Sequence, residues 1–237
     1  MSVNESIVSG EIDISKVRGV LFDIDGTLSD TDDHLVNRIS RFLKVVAWLF
    51  KEKNPKDFAR WLVMAMETPA NFVYGLADKL GLDAPLSKVY DFLSRKSRVS
   101  KTRLEGFLII PGAKEMLEKI SSQYPLAVVS ARDAETTHHF LEYFDLHSYF
   151  EVVVTSQTCK HTKPYPDPVI YAAKKLGLRP EECLMVGDTI VDVHAGKSAG
   201  AQTVAVLCGF GTQRELERAV ADMILHQTPD LKGILME

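Results

Sequence analysis

The chain has 237 residues, a length that suits one large domain or a domain with a modest insertion. Apolar residues make up 46% and charged residues 25%, the ordinary balance of a globular protein with a sizeable core. The net charge of −4 gives no reason to expect nucleic acid or a membrane surface as a partner. Three widely spaced cysteines argue against a disulfide framework or a zinc site, and with no signal-peptide pattern they predict a cytoplasmic protein.

Short apolar runs that end in polar turns predict the strands of a parallel sheet. Helical patterns lie between these runs, at residues 112–120 and 167–176. The second helix is predicted to bury Val169, Ile170, Ala173 and Leu176 on one face. Alternating strands and helices predict an α/β fold. The predicted strands are residues 17–23, 125–130, 151–154, 183–188 and 202–206.

The segment between the first and second predicted strands has a different pattern. Residues 31–103 contain no convincing strand, and apolar residues recur there at helical spacing, as in Leu35, Ile39 and Phe42. We therefore predict an all-helical insertion at residues 29–105, with residues 1–28 and 106–237 forming the α/β core.

The first polar cluster, Asp23-Ile24-Asp25-Gly26-Thr27, follows the first predicted strand. A carboxylate at a strand end is a potential nucleophile, and a second carboxylate two residues later can transfer a proton. Gly26 permits a tight turn in which its N–H group is expected to face an anion. The same pattern also occurs in ordinary capped turns, so this cluster alone decides nothing.

Three more clusters follow later predicted strands, where ligands bind in open α/β sheets. Ser130 can hold a phosphate oxygen, and its neighbour Arg132 could contact a substrate carboxylate or a second phosphate. Lys163 lies in a proline-rich loop that presents a fixed positive charge before a helix capped by Asp167. The carboxylates of Asp188 and Asp192 would repel the first pair without a cation, and Mg²⁺ relieves that repulsion. Taken alone, each of these clusters also has an ordinary explanation in solvation or helix capping.

Together the four clusters resemble the motifs of the haloacid dehalogenase (HAD) superfamily. The resemblance spans residues 17–210 and implies a Rossmann-like core. It identifies the insertion as a helical cap like that of phosphoglycolate phosphatase-like members. The matching motifs, in the superfamily's order, are Asp23-x-Asp25-Gly26-Thr27-Leu28, Ser130, Lys163-Pro164 and Gly187-Asp188-x-x-x-Asp192.

The resemblance also implies a role for each motif residue. Asp23 becomes phosphorylated, and Asp25 exchanges protons with the leaving group and with water. Mg²⁺ is bound by the side chains of Asp23 and Asp188 and by the backbone carbonyl of Asp25. Two further residues, Ser130 and Lys163, hold the phosphoryl group. Supporting roles fall to Asp192, which either assists the metal through water or orients Lys163, and to Gly26, Thr27 and Arg132.

These roles describe a Mg²⁺-dependent phosphatase acting on a small phosphorylated metabolite. Dehalogenases lack a second aspartate at the position of Asp25, so that residue argues against dehalogenation. A phosphomutase shares all four motifs and remains an alternative. A non-catalytic binding module on the same fold is a second alternative, disfavoured because all the motif residues are present. The sequence specifies neither the substrate nor the oligomeric state.

Overall fold

Seven strands form one sheet in the computed structural model of the chain, which describes residues 7–30 and 108–236. The order across the sheet is β1-β7-β6-β5-β2-β3-β4. Strand β1 pairs with β7 in antiparallel orientation, and all other neighbouring pairs are parallel. The strands are β1 (Ile7–Gly10), β2 (Gly19–Phe22), β3 (Leu126–Val129), β4 (Val152–Val154), β5 (Cys183–Gly187), β6 (Gln202–Val206) and β7 (Met223–Leu225).

Helices connect the parallel strands, because parallel pairing requires crossover connections. Asp133 caps the second of them by accepting a hydrogen bond from the backbone of Thr136 at 2.9 Å. The helices are α1 (Ala113–Ile120), α2 (Ala134–Tyr143), α3 (Asp167–Lys175), α4 (Ile190–Ala199), α5 (Gln213–Arg218) and α6 (Leu231–Leu235). Short 3₁₀ turns occupy Ile14–Lys16, His147–Tyr149, Pro180–Glu182 and Thr228–Asp230.

The central strands are buried on both faces. In β2, Val20 and Phe22 pack in one apolar cluster with α1 and α2, whereas Leu21 packs in a second cluster with α3 and α4. All four residues of β2 and all five of β5 are buried, which explains why these strands are continuous apolar runs. Helices on both faces of a mostly parallel sheet confirm the predicted Rossmann-like α/β core.

Several local predictions differ from the structure. Ile170 is 44% exposed, and α3 instead buries Pro168, Val169, Ala172 and Ala173. The N-cap of α3 is Pro166, one residue before the predicted Asp167. Strands β1 and β7 were not predicted. The helical cap predicted at residues 29–105 lies outside the described residues from residue 31 onward.

The strand register places the polar clusters at one edge of the sheet. Phe22, the last residue of β2, pairs with Val128 in β3 and with Val186 in β5. Asp23, Ser130 and Asp188 follow these strands, so all three lie at the carboxyl edge. Within the described ranges, no helix is long and apolar enough to cross a membrane.

Candidate active site

Lys163 contacts two carboxylates at the carboxyl edge of the sheet. Its Nζ atom donates to Asp23 Oδ1 at 2.7 Å and to Asp192 Oδ1 at 2.6 Å, and its side chain is 3% exposed. Burial alone would lower the pKa of Lys163, but the carboxylates of Asp192 and Asp23 raise it above its usual value. The lysine therefore stays charged and joins the first motif to the last.

Asp192 is fixed by its own helix terminus. Its Oδ2 atom accepts hydrogen bonds from Thr189 N at 3.1 Å and Thr189 Oγ1 at 2.7 Å, at the start of α4. The Oδ1 atom is left for Lys163. Of the two roles that the resemblance offers Asp192, the observed contact is with Lys163.

The Asp188 carboxylate is oriented by two loops. Its Oδ2 atom accepts from Phe210 N at 2.7 Å, and its Oδ1 atom lies 3.4 Å from the hydroxyl of Thr27. A Cβ atom on Gly26 would lie 2.3 Å from Asp188 Oδ2, and one on Gly209 would lie 2.1 Å from it. Both positions therefore require glycine, because any side chain would displace the carboxylate.

Three carboxylates of this edge are close enough to share a cation. Oxygen atoms of Asp23, Asp188 and Asp192 lie within 4.8 Å of one another, and all three residues are buried. Burial, followed by the neighbouring Asp192 and Asp25 carboxylates, raises the pKa of Asp23 to about 7 despite Lys163. Burial and the carboxylates of Asp192 and Asp23 also raise the pKa of Asp188 well above its usual value. A hard cation with oxygen ligands fits this donor set and would offset its excess negative charge.

Asp25 belongs to a second ion pair at the same edge. Arg132 Nε donates to Asp25 Oδ2 at 2.7 Å, and Arg132 Nη2 donates to Asp25 Oδ1. The guanidinium also lies over the ring of Phe140, 5.4 Å from its centroid. Ser130 Oγ accepts from the backbone N–H of Arg132 at 3.1 Å, so Ser130 and Asp25 both contact Arg132. The sequence suggested a substrate contact for Arg132, whereas the structure shows it bound to Asp25.

The turn after Asp25 differs from the sequence prediction that Gly26 N–H faces an anion. Gly26 adopts a φ of +70°, but its N–H group donates to Ser29 O at 2.9 Å within the turn and does not face an anion. Thr27 is buried, and its carbonyl accepts from Thr228 Oγ1 at 2.6 Å. The turn is thus held in place from the segment that follows β7.

The sequence analysis missed two supporting segments. Phe210 lies in the loop after β6 and Thr228 in the loop after β7, so both follow strands of the same sheet. The run Gly209-Phe210-Gly211 directly after an apolar strand is a signal that could have identified the first segment. Thr228 carries no comparable signal in its sequence.

Comparisons with known proteins agree with this geometry. The sequence profile described as haloacid dehalogenase-like hydrolase matches residues 20–206. Pyrophosphatase PpaX of Bacillus cereus is 29% identical over 225 residues, covering 94% of this chain and 98% of that protein. Phosphoglycolate phosphatase of Aquifex aeolicus is 30% identical over 221 residues, covering 92% of this chain and 97% of that protein.

A solved structure of similar fold is a putative β-phosphoglucomutase from Thermotoga maritima. It has a TM-score of 0.61 and 25% identity, covering 93% of this chain and 98% of that one. The profile match extends over most of the α/β core and includes the motifs of Asp23, Ser130, Lys163 and Asp188. The chain therefore belongs to the haloacid dehalogenase-like hydrolase family.

Proposed function

We propose that the protein is a Mg²⁺-dependent phosphatase that hydrolyses a small phosphorylated metabolite through a phosphoryl-aspartate on Asp23. The observation that carries this proposal is the position of Asp23, which contacts Lys163 beside two further buried carboxylates. Such a cluster suits phosphoryl transfer, which depends on positioning and on neutralising charge. The names of the relatives, a phosphoglycolate phosphatase and a pyrophosphatase, support the same class of reaction.

The proposed reaction has two steps. In the first, a carboxylate oxygen of Asp23 attacks phosphorus, the bond from phosphorus to the leaving oxygen breaks, and that oxygen takes a proton from Asp25. In the second, water attacks the phosphoryl-aspartate and gives a proton to Asp25. The bond between phosphorus and the Asp23 oxygen then breaks, which releases phosphate and restores both carboxyl groups.

The remaining residues bind and orient the phosphoryl group. Lys163 places a buried positive charge beside Asp23, and the hydroxyl of Ser130 lies at the end of the neighbouring strand. Mg²⁺ would be held by Asp23, Asp188 and the backbone carbonyl of Asp25, and it would supply charge neutralisation between nucleophile and phosphate. Asp192 keeps Lys163 in place.

Two matched substitutions test the mechanism. Asp23→Asn should abolish turnover, because an amide is a poor nucleophile. Asp25→Asn should lose roughly 10²- to 10⁴-fold in rate, because proton transfer is removed while the nucleophile Asp23 is kept. With p-nitrophenyl phosphate, whose leaving group needs little protonation, Asp25→Asn should still form the phosphoryl-aspartate and then retain it.

Rapid-quench labelling from a ³²P substrate measures this intermediate directly. We expect hydroxylamine-sensitive label on Asp25→Asn and none on Asp23→Asn. Equal label on both variants would exclude Asp23 as the nucleophile.

A phosphomutase is the second candidate, favoured by the similarity to the putative β-phosphoglucomutase. A mutase returns the phosphoryl group to a sugar and releases little free phosphate. Release of one phosphate for each substrate consumed, across a panel of metabolites, would identify the hydrolase. Conversion of a sugar phosphate to its isomer without phosphate release would identify the mutase.

A further inference from the structure

The ion pair between Arg132 and Asp25 is more than a surface contact. The Arg132 side chain is 12% exposed and that of Asp25 is 26% exposed. Two nitrogens of the Arg132 guanidinium bind the two carboxylate oxygens of Asp25. Paired contacts of this kind fix both planes and are stronger than a single contact. The ring of Phe140 lies against the guanidinium and further restricts where it can move.

This pairing occupies the carboxylate that the proposed reaction requires. Arg132 Nε binds Oδ2 of Asp25, and Nη2 binds Oδ1. Asp25 must carry a proton in order to give it to the leaving-group oxygen, and a protonated carboxyl group is no longer an anionic partner for Arg132. The nearly buried guanidinium would then lack part of its negative partner, which is costly unless another anion takes its place.

The substrate can supply that anion. Arg132 is tied through its backbone N–H to Ser130 Oγ, the proposed phosphate contact, so its side chain begins beside the site of the transferred phosphoryl group. Asp25, which it binds, is the proposed partner of the leaving oxygen. An anionic group that reaches Arg132 must therefore be carried by the leaving group, a few atoms from the scissile bond.

We propose that Arg132 binds a second anionic group on the leaving group, and that the exchange frees Asp25 for proton transfer. The preferred substrates are then phosphate esters or anhydrides whose leaving group carries a carboxylate or a further phosphoryl group. This inference rests on the proposed phosphatase function. Arg132 acts as a specificity-determining residue that also positions Asp25.

Substrates that differ in one charge test this inference. Phosphoglycolate and its neutral amide have nearly the same shape, inorganic pyrophosphate carries a phosphoryl group instead, and p-nitrophenyl phosphate reports phosphatase activity without a second anion. We expect at least one of the two anionic substrates to exceed the amide in kcat/KM by roughly 10- to 100-fold. In Arg132→Gln that ratio should fall to roughly three or less, and Arg132→Lys should give an intermediate value.

The ratio of two kcat/KM values on one enzyme preparation is independent of the folded fraction, so a poorly folding variant still gives an answer. Arg179→Gln is the matched control, because Arg179 pairs with Glu182 before β5, at the opposite end of the sheet, and its side chain is 75% exposed. It should leave the ratio unchanged.

A ratio that is the same in Arg132→Gln and the parent protein would overturn the inference, even if all rates fell equally. So would hydrolysis of p-nitrophenyl phosphate or the amide by the parent protein with no preference for either anionic substrate. Release of no phosphate from any of the four compounds would instead reject the proposed phosphatase function itself.

Discussion

Two clusters of lysine and aspartate occupy opposite ends of the same sheet. At the carboxyl edge, Lys163 contacts Asp23 and Asp192 in nearly complete burial. At the amino edge, Lys197 of α4 pairs with Asp222, and both side chains are about one-third exposed, at 34% and 27%. The chemical groups are the same, but their surroundings differ.

The amino-edge cluster is balanced. Asp222 Oδ1 binds Lys197, and Oδ2 accepts from the backbone N and the hydroxyl of Thr203 at 2.8 and 3.0 Å. The carboxyl-edge cluster instead gathers Asp23, Asp188 and Asp192 around one lysine. Balanced pairs stabilise a fold modestly, whereas buried excess charge costs stability and is characteristic of functional sites. The amino-edge cluster therefore joins β6, β7 and α4, whereas the excess charge of the carboxyl-edge cluster supports the ligand site proposed there.

The lysines should show the largest difference. Lys163→Met is expected to lower kcat/KM by roughly 10³-fold, because a buried charge next to the phosphoryl group is lost. Lys197→Met should leave kcat/KM within roughly threefold and lower the free energy of unfolding by about 1 kcal/mol. Steady-state kinetics and urea unfolding on both variants check this contrast. Comparable losses of activity in the two variants would contradict the division of roles.

Magnesium should stabilise the protein in a pH-dependent way. The folded chain holds a proton on Asp23 up to about pH 7, whereas the unfolded chain loses it near 3.8. Because the folded chain binds this proton more tightly, protonation of Asp23 stabilises the metal-free protein. This stabilisation is fully present below pH 3.8 and is lost as the pH rises toward 7. Millimolar Mg²⁺ should raise Tm by roughly 5 °C at about pH 8 and by less at about pH 6, where protons compete.

Thermal unfolding with and without EDTA measures the effect of magnesium. Loss of phosphatase activity in EDTA should accompany the loss of stabilisation. An equal rise in Tm at both pH values would mean that Mg²⁺ binds elsewhere than at the buried carboxylates.

Matched aspartate substitutions should change stability in opposite directions. In the metal-free protein at about pH 8, Asp188→Asn should raise the free energy of unfolding by about 1 kcal/mol, because an amide does not carry the charge that burial and the neighbouring carboxylates disfavour. Its amide oxygen can still accept from Phe210 N. Asp222→Asn should lower that free energy by about 1 kcal/mol, because Lys197 loses its partner. Urea unfolding of both variants in EDTA provides the test, and a destabilised Asp188→Asn would contradict it.

The sequence predicted the positions of the motif residues better than their contacts. Asp23, Ser130 and Asp188 each follow a buried apolar run, and parallel strands bring their carboxyl ends to one edge. The pairing of Arg132 with Asp25 depends on side-chain conformations across 107 residues of sequence, which no local pattern encodes. The same limit applies to Thr228, whose hydroxyl supports a turn that is distant in sequence.

Two strands at one side of the sheet, β1 at its edge and β7 next to it, were also missed, for a different reason. Strand β1 is only partly buried, and β7 has three residues, so neither forms an extended apolar run or an alternating pattern. The misassigned face of α3 has a related cause. Its buried residues include Pro168, Ala172 and Ala173, small side chains that carry a weak apolar signal, whereas the larger Ile170 is exposed.

The hydrogen bond from Thr228 to Thr27 has a consequence for protein synthesis. These residues lie 201 positions apart, and every strand of the sheet precedes Thr228 in the chain. At a translation rate of about 5–20 residues per second, the loop that carries Asp25 is made roughly 10–40 s before its support from Thr228. The nascent chain therefore passes through most of its synthesis without this contact, and the loop gains it only after the last strand of the sheet has been made.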